Sequence, residues 1–374
     1  MKRAFKGLLS AAALAAATTP VVAQGTVDNT AYGSTSAEFL LLGAGARGAA
    51  LGGSYAALAN DITALYWNPA GVALIERPGM SASVMNYVAD TRYAWVGLAF
   101  PMSGGQRAIG IHGATFGFGD QPVYTVADPT GASGETYSVA QTYVGVTYAQ
   151  NFSDRFSAGV TGKVISDQLG RTSGSGFALD FGTNFHALVG SRPLRASFVI
   201  QNLGSTIEHS GSGVDVSAGR TPPTGQVDLP QEGQPARFRT KEFGLPVTFR
   251  VGLAFDALAS SASRVTLLSE FTQPNNTNAA ANGGLEWALS GLGGSGFSVA
   301  ARGSYTYQAD NNLTPDATAA GFSSTISGES TDGLALGGGI MYSGRSGFGL
   351  GVDYAWKNLG LLGGVNFFSA TISW

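Results

Sequence analysis

EFLLLGAGARGAALGGSYAALANDITALYWNPAGVALI, residues 38–75, is apolar, rich in Gly and Ala, and charged only at Glu38, Arg47 and Asp61. It has no strand-like alternation. It is also too interrupted to be a bilayer-spanning helix, which needs about 20 consecutive, predominantly apolar residues. The rest of the 374-residue chain is different: apolar and polar residues alternate over short stretches separated by polar turn sequences. The two parts together read as an all-β membrane fold. We expect a closed antiparallel 14-stranded outer-membrane β-barrel, with residues 38–75 forming a short N-terminal helical plug in its lumen.

Upstream, residues 1–6 are basic, residues 7–17 are uncharged and apolar, and Val21-Val22-Ala23 offers a small-residue cleavage site before Gln24. The apolar run is too short for a membrane anchor. Residues 1–23 are therefore expected to be a signal peptide. Residues 24–79 would be the leader and plug, with 24–37 on the periplasmic side, and 80–374 the transmembrane barrel. Cysteine is absent, which excludes a disulfide frame and thiolate metal sites. Charged residues make up 12% of the chain, against about 25% in soluble domains. So few basic residues exclude a nucleic-acid partner. An export signal, few charges and no candidate spanning helix place the protein in the bacterial outer membrane.

Gly43-Ala44-Gly45-Ala46-Arg47-Gly48 matches the dinucleotide-binding fingerprint letter for letter. That chemistry needs a βαβ unit and an acidic residue ending its second strand, whereas Asp61 sits in a polar, non-strand context. Close packing of backbone is the better account of these glycines. Asn68-Pro69 is a helix start, with Asn as cap and Pro pre-set for the first helical position. It predicts a helix over 69–75 with Trp67 turned back into the segment, and Asp61 capping a turn over 62–66.

The order FLLLGAGARGAALGG, a gap, then NDITALYWNPAGVAL resembles the opening signature of the PorV–PorQ group of outer-membrane proteins, within the wider FadL-like superfamily. Matching positions are Arg47, Gly52, Gly53, Asp61, Ala64, Trp67, Asn68, Pro69, Ala70 and Gly71; beyond this segment only the layout agrees. FadL-like barrels also have fourteen strands. The resemblance implies a binding and shuttling component of type IX secretion. Its partners would be exported proteins with a C-terminal secretion domain and the surface attachment machinery. The superfamily implies an alternative, passive uptake of hydrophobic small molecules such as long-chain fatty acids.

Period-2 alternation and turn signals give fourteen strands, the first over 80–88 and the last over 363–374. Alternate links are all short, while 117–135, 203–244, 273–281 and 309–331 fall on the other side, as expected for periplasmic turns and external loops. In 346–357, Phe348, Leu350, Val352, Tyr354 and Trp356 share one face. That face must meet lipid, because a charge there would cost about 2–4 kcal/mol at mid-bilayer. Lys163, Asp180, Arg195, Arg250, Asp256, Glu270, Glu286, Arg302 and Asp353 then point inward, with both signs present for mutual pairing. Gly333, Ala335, Gly337 and Gly339, beside Gly347, Gly349 and Gly351, predict a smooth strip where the plug packs, since a strand glycine marks close backbone approach.

The last residues, FSATISW, end on an aromatic with apolar residues at alternate positions. Phe368, Ile372 and Trp374 are the expected signal for the barrel-assembly machinery. His112, His186 and His209 are scattered without metal-ligand spacing, and no nucleophile elbow is present. No catalytic residue, metal or cofactor is assigned, and the protein is read as a non-enzyme. The long loop 203–244 is locally basic through Arg220, Arg237, Arg239 and Lys241 and stiffened by Pro222, Pro223, Pro230 and Pro235. It is a candidate surface for a protein or for lipopolysaccharide, beside the membrane lipid itself.

Overall fold

Antiparallel pairing between neighbours in sequence carries the chain around the whole wall. The strands are β1 Gly79–Asn86, β2 Arg92–Met102, β3 Arg107–Pro122, β4 Thr136–Ser153, β5 Phe156–Leu169, β6 Thr172–Val189 and β7 Arg192–Gly204. They continue as β8 Thr248–Ala259, β9 Ser263–Pro274, β10 Ala280–Leu289, β11 Phe297–Gln308, β12 Leu334–Ser343, β13 Gly349–Asn358 and β14 Gly364–Ser373. The sheet has fifteen members; setting aside the two-residue strand Ser210–Gly211 on β6 leaves fourteen. β1 pairs with β14 from Gly79↔Ser373 to Asn86↔Asn366, which closes the barrel. The computed structural model describes residues 33–374 except 127, 219–233, 293–294, 309–332 and 345–346. The expected signal peptide, Arg220, Pro222, Pro223, Pro230 and the whole of the loop 309–331 lie outside the described residues.

Alternation fixes the two faces, because successive strand side chains point to opposite sides. Val144, Val146, Val164, Phe177, Ile340, Val352, Tyr354 and Phe368 are exposed on the outside. Thr147, Thr161, Lys163, Asp180, Asn184, Arg250, Glu270 and Glu286 are buried on the other side. This is the inverse of a water-soluble barrel, and closure leaves the wall without a free sheet edge.

Every long link is at one end, together with the short links 87–91, 170–171, 275–279 and 359–363, and the other end has short links alone. Links 103–106, 154–155, 190–191, 260–262, 290–296 and 344–348 are at one end, while 123–135, 205–247 and 309–333 are at the other. Several strands outrun their expected limits. β3 continues to Pro122 and β4 to Ser153, each past a register shift, at Phe118/Gln121 and Asn151/Ser153. A bulge breaks the period of two, so alternation undercounts a strand that continues beyond it.

Residues preceding β1 form 3₁₀ turns at Glu38–Leu41 and Pro69–Leu74 and two short helices, α1 Ala46–Ala50 and α2 Ala64–Trp67. Most side chains of this segment are buried. Thr35 bridges Gly244, and the Ser36 N–H donates to the Gly244 carbonyl at 2.9 Å, at the long-loop end. Asn151 Nδ2 donates to the Ala73 carbonyl at 2.9 Å and to Gly105 at 3.0 Å, at the short-turn end. The expectation that residues up to 37 lie at the periplasmic side is thereby corrected for Thr35–Ala37. Their partners are on the long loop, so the chain reaches β1 from the opposite end.

The glycine strip is also corrected. A Cβ at Gly337 would lie 2.6 Å from Ala50 Cβ, so the segment does approach there. Gly339 instead faces Asp353, Gly349 faces Ser373 and Gly351 faces Met341. The register places Gly337 opposite Ala355 and Gly339 opposite Asp353, so the two glycine runs do not lie side by side. Close approaches are spread around the wall: Cβ atoms at Gly110, Gly159, Gly182 and Gly284 would meet Leu65, Pro69, Asn68 and Ser54.

Candidate functional site

Trp67 organises the N-terminal segment. Its Nε1–H donates to the Ala44 carbonyl at 2.7 Å, and its ring stacks edge-on to Tyr66 and Tyr55. A Cβ at Gly48 would lie 2.5 Å from the indole and one at Gly43 3.1 Å, so the fingerprint-like glycines form the bed of this ring. Arg250 from β8 covers the ring at 5.1 Å, a geometry that adds cation–π attraction. Asn68 caps the Pro69–Leu74 turn by accepting from the Ala70 N–H at 3.0 Å, while its Nδ2 donates to Ala56 and Thr183 carbonyls. The turn at Ala70 and Gly71 is so close to Ala59 that a Cβ at Gly71 would strike the Ala59 carbonyl. Gly52 and Gly53 adopt φ of 64° and 88°, which only glycine accepts cheaply. Their carbonyls receive Thr306 and Arg250.

Arg47 and Asp61 join this segment to the wall. The Arg47 guanidinium donates to Asp61 at 2.9 Å and grips Glu286 of β10 through Nε and Nη2, both at 2.8 Å. Asp61 also accepts from the Thr63 N–H and hydroxyl and from the Tyr55 hydroxyl, but α2 starts at Ala64 with Thr63 as its N-cap, so Asp61 braces the residue before the helix rather than capping a turn over 62–66. Burial alone would raise the Asp61 pKa, but Arg47 and these hydrogen bonds outweigh it and hold the carboxyl below its ordinary value.

The inward charges pair with one another. Lys163 meets Asp180 at 2.7 Å, Arg250 meets Glu270 at 3.1 Å, Arg302 meets Glu286 at 2.7 Å and also Asp353, and Arg195 meets Asp256. A buried charge is tolerated when paired and hydrogen-bonded. Lys357 differs: none of the described carboxylates lies within ion-pair distance of its ammonium.

Lys357 borders a cavity of about 600 Å³ at the long-loop end. Its wall combines Leu41, Leu42, Met85, Phe116, Leu169, Leu359 and Phe367 with Thr35, Ser36, Glu38, Gln141 and Asp167. A second cavity of about 260 Å³ shares Leu41, Leu42, Thr277, Phe367 and Lys357 with it and extends toward Arg250 and Trp67. Asp167 ties the rim together by accepting from Gln141 at 2.8 Å and from Ser36 at 3.1 Å, with His209 of the long loop 3.1 Å away. The sequence placed Lys357 on the inward face but gave no sign that it would lack a carboxylate, since that depends on which strands and segment residues surround it.

Elsewhere, His112 packs between Trp95 and Tyr143, and His186 is on β6. The basic loop is partly self-neutralised: Arg237 pairs with Asp215 and Arg239 with Glu208 and Glu242. Phe368 and Ile372 of β14 are exposed on the outer face and Trp374 follows the strand, its N–H donating to Pro78. Among the described residues, no cluster of His, Cys, Asp and Glu could hold a metal ion.

No protein-family model and no curated relative matches this sequence. Solved structures match the fold. The Pseudomonas putida toluene transporter TodX has a TM-score of 0.53 at 11% identity, covering 88% of this chain and 97% of its own. The CymD monoaromatic hydrocarbon channel gives 0.51 at 11% identity, covering 89% of this chain and 97% of its own. At such identity the likeness concerns the fold: a bacterial outer-membrane β-barrel whose architecture resembles these hydrocarbon channels.

Proposed function

We propose that this barrel is a FadL-like passive transporter of hydrophobic small molecules, with residues 35–75 as a plug in the lumen that must shift for passage. The observation that carries the reading is the mainly apolar cavity at the long-loop end, whose volume of about 600 Å³ suits a small-molecule site, ~300–1,000 Å³. Lys357 adds a direction to the chemistry. Its ammonium makes no ion pair, while Glu38 and Asp167 on the same wall are taken up by hydrogen bonds from Thr35, Asn276, Ser36 and Gln141, so an amphipathic acid such as a long-chain fatty acid is favoured over a neutral hydrocarbon. The fold likeness to TodX and CymD supports channel architecture rather than a particular substrate.

The type IX shuttling role rests on the motif of Arg47, Gly52, Gly53, Asp61, Trp67, Asn68, Pro69, Ala70 and Gly71 alone. Each of those side chains or glycines has a packing role within the segment or against the wall, so the motif also fits a plug in a channel. For the same reason Phe368, Ile372 and Trp374 stay proposed as the assembly signal.

Binding of radiolabelled oleate and toluene to the purified barrel tests the transport reading. Lys357→Met is expected to weaken oleate binding about tenfold, equivalent to ~1.4 kcal/mol, and to leave toluene binding unchanged. Failure of the native barrel to bind either, together with capture of exported proteins sharing a C-terminal β-domain, would return the type IX role to first place.

A further inference from the structure

The smaller cavity, about 260 Å³, differs in character from the larger one that it adjoins at Leu41, Leu42, Thr277, Phe367 and Lys357. Its wall includes Thr248 and Arg250 from one face of β8, Thr272 of β9 and Asn282 of β10. Thr248, Arg250 and Asn282 are each more than nine-tenths buried. Each also keeps a polar atom without a hydrogen-bond partner in the protein: Thr248 Oγ1, Arg250 Nε and Asn282 Oδ1. Buried polar groups are paired in the great majority of cases, so three such atoms on residues of one cavity wall point to a ligand. Arg250 spends its Nη1 on Glu270 and the Gly53 carbonyl, which leaves Nε as a donor. The Asn282 amide is oriented by its neighbours, since Nδ2 donates to the Glu270 carbonyl at 3.4 Å and to Thr272 Oγ1 at 3.2 Å. A carbonyl only accepts, so Oδ1 is the end that requires a donor.

We propose that the smaller cavity is a head-group pocket, and that the ligand is an acyl chain joined through an amide to an amino acid. The chain would occupy the larger, mainly apolar cavity and the amino-acid head the smaller one, with Lys357 on the wall of both. This rests on the transport reading above and deepens it by naming the head. An ionised carboxylate is acceptor-only, so a plain fatty acid can take up Lys357, Arg250 Nε and the Thr248 hydroxyl but cannot satisfy Asn282 Oδ1. An amide N–H can. Size agrees with this: a water's share of liquid volume is about 30 Å³, so the smaller cavity has room for several heavy atoms beyond a carboxylate. An N-acyl amino acid offers two acceptor groups and one donor within that space, which is the complement of the three donors and one acceptor on the wall.

Binding of laurate, N-lauroylglycine and N-lauroylsarcosine to the purified full barrel, below their micelle concentrations, tests this. Sarcosine is N-methylated glycine, so its acyl amide has no N–H to give. The expected result is that N-lauroylglycine binds about threefold to tenfold more tightly than either of the others, the worth of one added hydrogen bond. In Asn282→Leu, checked for folding by heat-modifiable gel mobility, the ratio of N-lauroylglycine to N-lauroylsarcosine affinity should fall to about one. Thr248→Val removes a hydroxyl that makes no hydrogen bond in the protein. It should therefore fold as the native chain does, yet bind N-lauroylglycine more weakly. Equal binding of all three ligands to the native barrel overturns the head-group pocket and leaves the transport reading standing. A ratio that persists in Asn282→Leu, or N-lauroylglycine binding unmoved by Thr248→Val, overturns the assignment of these residues. No binding of any of the three overturns both the pocket and the preference for acids.

Discussion

Glu286 is the residue on which two guanidiniums converge, Arg47 from the segment and Arg302 from the neighbouring strand. Glu286→Gln leaves them facing each other with Asp61 and Asp353 as their remaining carboxylate partners. Removing one member of a buried ionic group costs about 3–5 kcal/mol, so the heat-modifiable gel transition should fall clearly. Arg47→Met should cost less, because Glu286 keeps Arg302. Its larger effect should be release of the segment, read as faster proteolysis before residue 79. The depressed Asp61 pKa gives a sign for pH. Its tether adds stability that is fully present above the ordinary Asp range and lost only as pH falls through the lower folded value. Protease resistance of the segment should therefore survive at pH 5, and Asp61→Asn should lower it throughout the neutral range. At this scale the sequence showed which charges point inward, since a period of two suffices for that. Which charges meet depends on strand register, which is why the isolation of Lys357 went unseen.

At the scale of elements, the cleanest contrast is between adjacent glycines of β12. A leucine at Gly337 would drive into Ala50 of α1 and the Tyr354 carbonyl, whereas at Gly338 the nearest atom to a new Cβ is the Ala300 carbonyl at 3.0 Å. Gly337→Leu should lower the unfolding temperature on gels more than Gly338→Leu; equal effects would mean that the segment does not seat against β12. The Asn68 cap is a second test. Asn68→Leu removes an N-cap, worth about 0.5–2 kcal/mol, and strands the Ala56 and Thr183 carbonyls as well. The strands were legible because lipid outside and polar groups inside impose strict alternation. Their ends were less so, because bulges at Phe118/Gln121 and Asn151/Ser153 shift the phase without ending the pairing. The glycine strip held only in part, since α1 seats at Gly337 while Gly339, Gly349 and Gly351 meet other wall side chains: a run of small residues shows where approach is permitted, and only the neighbouring strand decides what approaches.

For the whole molecule, the decisive feature is a wall whose inner charges are matched except at Lys357 and whose interior contacts are made by the residues just ahead of β1. Deleting residues 35–75 should leave a barrel that conducts ions in planar bilayers, with discrete steps absent from the full chain. Identical conductance would remove the plug from the proposal. That same route has a consequence for assembly. The segment meets Gly244 at one end and Asn151 at the other, then turns directly into β1, the strand that zips to β14. A cylinder already sealed along that seam could receive it only by threading. On the proposed plug reading, the zipping of β1 to β14 should follow the placement of the early residues within the nascent sheet, and maturation would be a wrapping process rather than an insertion.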